Sequence, residues 1–179
     1  MKTPVFSLFL CFLGAACALP QTNPPQPLAF RIGSLRFDRP EAWVYSRPTD
    51  GVLTAQLEKK SEGTPLRITF TRLAHGSGGS VQANVDRWRA QFLSNDAPAE
   101  VQALSGPAQP LTLVKLTGTM KGGVPGGPPK DSPDTLLLGA ILDSPEGLVA
   151  VKMVGPKLPV RREEPVFMEL VKTAAGRSP

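Results

Sequence analysis

Both cysteines of this 179-residue chain, Cys11 and Cys17, fall within its first twenty residues. Everything after them must hold together without a disulfide, and without a thiolate metal site or a thiol nucleophile. The remaining source of stability is burial of apolar surface. Roughly 150 residues suffice for one conventional core and not for two.

The residues around those cysteines have a pattern of their own. Lys2 gives a short positive start, Val5 to Leu13 is apolar apart from Ser7, and Gly14-Ala15-Ala16-Cys17-Ala18 supplies small residues. That is the three-part layout of a secretory signal peptide, so residues 1–18 are expected to direct export. The apolar run is shorter than the roughly 20 residues needed to cross a bilayer, and no later run approaches that length. Two processing outcomes stay open. Ala16-Cys17-Ala18 is a small-x-small site with cleavage before Leu19. Alternatively, Cys17 becomes the lipidated first residue of a bacterial lipoprotein: Ala15-Ala16-Cys17 resembles a lipobox, with Gly14 where a large aliphatic residue is usual. Residues 19–27 are a Pro-rich linker in either case. The expected location is extracytoplasmic, in the periplasm or secreted, with a membrane tether if Cys17 is acylated.

The formal charge of +5 includes Lys2, and the two signs are interspersed, with the densest basic cluster at Lys152, Lys157, Arg161 and Arg162. Such a balance bears on solubility and weak attraction to anionic partners. Aromatic residues are sparse, and Phe6, Phe9 and Phe12 belong to the leader. A nucleic-acid partner is not expected for such a chain.

Residues 28–175 read as one α+β domain. Leu28 to Asp38 alternates as one bent strand or two short ones, and Pro40 with Trp43 marks a corner. Val52–Leu57 and Leu66–Thr71 form a hairpin; Leu66, Ile68 and Phe70 alternate with Arg67, Thr69 and Thr71. Ser80 is a plausible N-cap, and Val81, Val85, Trp88 and Phe92 share one face of a helix from Val81 to Leu93. Val101–Leu104 pairs with Leu111–Thr119, and Thr135–Leu142 pairs with Leu148–Val154, whose near-continuous apolar residues suit central strands. Residues 120–133 hold four glycines and four prolines and are expected as a long surface loop, functional or disordered. A last helix runs from Glu163 to Ala175, with Pro165 in its first turn. Short links favour antiparallel pairing, so the expected fold is a twisted antiparallel sheet with two packed helices.

Gly78-Gly79-Ser80, Asn84-Val85-Asp86-Arg87-Trp88 and Gln91-Phe92 resemble a group of uncharacterised exported bacterial proteins. In these a Gly-Gly pair precedes a helix carrying Asn-x-x-Arg-Trp-x-x-Gln. Pro40-x-x-Trp43 and Lys152-x-x-Gly155-Pro156 look like the same pattern, so the resemblance spans most of the chain beyond Leu28. The order of elements resembles the PsbP fold, an antiparallel sheet sandwiched by helices. The resemblance implies an exported, non-enzymatic binding or assembly module, and brings no catalytic residues with it.

The chemistry-bearing residues are few. Trp43, Arg87 and Trp88 could line a ligand pocket, with core packing of the two tryptophans as the competing reading. Gly78, Gly79 and Ser80, ahead of a helix, could bind an anion through backbone N–H groups; a flexible turn plus an N-cap is the plainer reading. His75 is the only histidine. A hydrolase would need it beside a serine and oriented by a third group, and the sequence places no carboxylate there. One histidine cannot build a zinc or copper site, so no metal and no cofactor are expected. The function this supports is a non-catalytic binding or scaffolding domain whose partner is a protein or cell-envelope component. A small-ligand-binding periplasmic domain and a minor hydrolase using His75 are the alternatives.

Overall fold

The computed structural model describes residues 25–49, 51–60, 65–74, 76, 78–105, 108–125, 127 and 129–176. Five strands precede the first helix: β1 (Ala29–Ile32), β2 (Leu35–Asp38), β3 (Val44–Ser46), β4 (Ala55–Lys59) and β5 (Leu66–Leu73). After α1 (Val81–Arg89) come β6 (Phe92–Asn95), β7 (Glu100–Ser105), β8 (Pro110–Met120), β9 (Ser132–Ser144), β10 (Gly147–Pro156) and α2 (Lys157–Ala175). β1 and β2 form a separate hairpin. The other strands make one sheet in the order β3-β4-β5-β10-β9-β8-β6, with β7 also pairing β8. Every pairing is antiparallel. The architecture is α+β, as expected.

Strand alternation builds two cores on one sheet. Leu136, Leu138, Ala140 and Leu142 of β9 and Val149, Val151 and Met153 of β10 face α2 and the β1–β2 hairpin. Leu137, Ile141, Ala150 and Val154 face the opposite way, with Val85 and Trp88 of α1. Apolar cover on both faces is why β9 reads as an almost unbroken apolar run. Four rings weld the hairpin to the sheet: Phe30 lies 5.6 Å from Phe37, 4.9 Å from Tyr45 and 5.1 Å from Phe70. Arg39 ties the chain entering the hairpin to the corner after it, donating to the carbonyls of Pro27 (2.7 Å) and Trp43 (2.6 Å). Gln26 accepts from the Tyr45 N–H at 2.8 Å. The last residues of the Pro-rich linker are therefore docked on the domain.

Several boundaries differ from expectation. The first helix stops at Arg89 instead of Leu93, and Phe92 begins β6, a strand the polar Ser94-Asn95 conceals. Phe92 still reaches the α1-side core, which is why its spacing looks helical. The second helix starts at Lys157, six residues early, with Pro165 in its interior. Val160 is fully buried and extends the Phe167–Leu170–Val171–Ala174 stripe backwards. Ion pairs from Lys59 to Glu163 (2.6 Å) and Lys115 to Glu164 (2.9 Å) hold the turn before the proline. These contacts offset the backbone hydrogen bond that an interior proline removes. The Gly/Pro-rich connection shortens to 121–131. Val124 plugs it into the α1-side core, and the Gly122 N–H donates to Asp131 Oδ1 at 2.8 Å.

Candidate functional site

Gly78, Gly79, Ser80 and residues 84–88 build the start and the inner face of α1. Gly79 adopts φ 74°, a left-handed conformation suited to glycine. Ser80 then caps the helix, its Oγ accepting from the Ala83 N–H at 3.1 Å, a contact worth about 1 kcal/mol. The buried Asn84 side chain donates to the carbonyls of Gly78 (3.1 Å) and Ser80 (2.9 Å). Arg87 in turn donates to Asn84 Oδ1 at 2.6 Å. The Gly78 and Ser80 carbonyls and the Ser80 hydroxyl thus start and brace α1 as a turn with an N-cap.

Trp43, Arg87 and Trp88 do not gather into one pocket. Trp43 is 1% exposed in the α2-side core, and Trp88 is 6% exposed in the α1-side core, with the sheet between them. Trp88 lies directly on Gly139 of β9, where a Cβ would overlap its six-membered ring. Arg87 is exposed on α1. His75 and Cys17 lie outside the described residues. Among the described residues no three His, Cys, Asp or Glu side chains stand close enough to hold a metal ion, and no helix is long and apolar enough to cross a membrane.

Two features were not picked out from the sequence. The first is Lys152. The apparent basic cluster is dispersed: Lys157 pairs with Asp96 (3.3 Å) and Asp134 (3.6 Å), and Arg161 and Arg162 are exposed on α2. Lys152 alone turns under α1, where its Nζ approaches Gln91 Oε1 at 3.4 Å. Burial pushes its ammonium below the ordinary lysine range. The alternation of Ala150, Lys152 and Val154 against Val149, Val151 and Met153 was the available signal.

The second feature is the sheet edge at β7. This six-residue strand pairs only with β8 among the described residues, and Glu100 to Ala103 are exposed on both faces. Beside it, on the α2 side, opens a groove of about 240 Å³ lined by Gln102, Leu113, Leu138, Phe167 and Met168. The Lys115–Glu164 pair borders the groove, and Glu100 stands directly across the strand pair from Lys115.

No protein-family model matches the sequence, and no curated protein does. Solved structures do. A protein of unknown function from Pseudomonas aeruginosa, described as a putative regulator, aligns with a TM-score of 0.46 at 10% identity, over 87% of this chain and 100% of that one. The solution structure of cyanobacterial PsbP (CyanoP) from Synechocystis aligns with a TM-score of 0.53 at 9% identity, over 90% of this chain and 98% of that one. This second likeness establishes the architecture: the chain has a PsbP-like α+β fold.

Proposed function

We propose that this chain is an exported, non-catalytic binding or scaffolding domain that docks an extended segment of a cell-envelope protein along β7. The observation that carries the reading is the open edge beside an apolar groove. An unpaired edge offers a row of backbone donors and acceptors, and natural proteins usually blunt or cover such edges. Here β7 carries Val101, 43% exposed, and adjoins Leu113, Phe167 and Met168. A strand added to β7 gains backbone hydrogen bonds, and alternate side chains reach the groove. The surplus carboxylate of Glu100 and Glu164 over Lys115 favours an occupant with an apolar residue for the groove and a Lys or Arg beside Glu100.

Site-specific photo-crosslinking in the native host tests this. A photoreactive residue at Gln102 is expected to give one discrete heavier adduct to an envelope protein, while the same residue at exposed Lys172 gives none. Adducts of equal yield from both positions, no adduct from Gln102, or an adduct of this chain with itself would each overturn the reading.

A further inference from the structure

A second exposed feature lies on the other face of the sheet. α1 covers only the β8–β9–β10 half of its face, where Val85 and Trp88 meet Val114, Leu137 and Ile141. The β3–β4–β5 half carries no helix and is mainly polar, with Val44 exposed beside Ser46. Register places Ser46, Gln56, Thr69 and Lys152 in one cross-strand row, followed by Gly139 under the Trp88 ring. Ser46 is exposed, and Gln56 and Thr69 are half-buried. Lys152 stands where the polar shelf meets the helix, with Gln91 above it.

The other half-buried lysines of the domain have carboxylate partners. Lys59 has Glu163, Lys115 has Glu164, and Lys157 has Asp96 and Asp134. Lys152 has only the long contact to an amide oxygen, and among the described residues no carboxylate lies within ion-pair distance of it. A partly desolvated ammonium without a counter-charge is costly unless it serves something. Gln91 can turn its amide N–H₂ toward an anion as readily as it now offers its oxygen.

We propose that Lys152 and Gln91 seat the oxyanion of a small polar ligand, a carboxylate or a phosphate, whose remainder lies across Thr69, Gln56 and Ser46. The arriving oxyanion supplies the charge that burial withholds, and the floor of hydroxyl and amide groups suits a hydrogen-bonding ligand better than an apolar one. This seat is independent of β7, on the opposite face from the groove.

The test is a titration of the full mature chain with acetate and, separately, inorganic phosphate, following lysine side-chain NMR signals. One probe is expected to shift the Lys152 signal saturably while Lys172 stays still, and the probe that saturates at lower concentration identifies the oxyanion. Lys152→Met should weaken that binding at least tenfold with the fold retained, and Gln91→Leu should weaken it severalfold. Absence of a saturable shift with both probes, or equal affinity in Lys152→Met and Gln91→Leu, would overturn the seat.

Discussion

A Gly139→Ala variant is expected to lose about 3 kcal/mol of stability, an unusual cost for one added methyl group. Gly139 sits mid-strand in β9, paired with Lys152 on one side and Val114 on the other, so the backbone cannot retreat without breaking two ladders. The new Cβ would enter the six-membered ring of Trp88. That ring is 6% exposed and packed in the core that holds α1 on the sheet. Because the obstacle is a fixed ring, relaxation means lifting α1. Trp88→Ala alone should cost about 3–5 kcal/mol through the cavity it leaves. The double variant should be more stable than the sum of the singles by at least about 1 kcal/mol, since the methyl group then enters vacated space. Urea unfolding of the four proteins measures this coupling. Strict additivity would mean that the ring does not rest on Gly139.

Phe37→Ala should cost a further class of contacts, about 3–5 kcal/mol. The β1–β2 hairpin shares no ladder with the main sheet, and an isolated two-stranded hairpin is marginal in water. It stays in place by burying Phe30, Ile32, Leu35 and Phe37 against Phe70 and α2. Phe37 is fully buried and sits 5.1 Å from the Phe70 ring at 69°, an edge-to-face contact. Its loss should loosen the hairpin before the sheet unfolds, so limited proteolysis should cut near Gly33-Ser34 in the variant and spare the parent. Phe37→Leu, which keeps most of the volume, should cost less than about 1.5 kcal/mol. Equal protease resistance of Phe37→Ala and the parent would show that other contacts hold the hairpin.

Much of this architecture was legible because it follows from periodicity. The Leu66–Ile68–Phe70 alternation, the Val81–Val85–Trp88 stripe and the double-sided apolar run of β9 each reflect one structural period and one buried face. Errors arose where a competing contact overrode a local rule. Pro165 signals a helix start, but Val160 and two ion pairs carry α2 back to Lys157. Phe92 signals helix, but its burial is equally served from the first position of β6. The candidate sites were less legible for a different reason. Trp43 and Trp88 look alike as lone aromatics, and only the pairing order of the strands puts a sheet between them. Lys152 looks like one of four basic residues until register sets it beside Thr69 and Gly139. The β7 edge depends on strand order, which no local pattern encodes.

The binding reading presupposes that the domain leaves the cytoplasm, since only then can β7 meet an envelope partner. Intact mass of the protein purified from its native host, with membrane and soluble fractions kept apart, tests this most directly. The expected result is a processed chain beginning at Leu19, or a membrane-bound chain beginning at Cys17 and carrying added acyl mass. A full-length chain retaining residues 1–18 in the cytoplasmic fraction would contradict it.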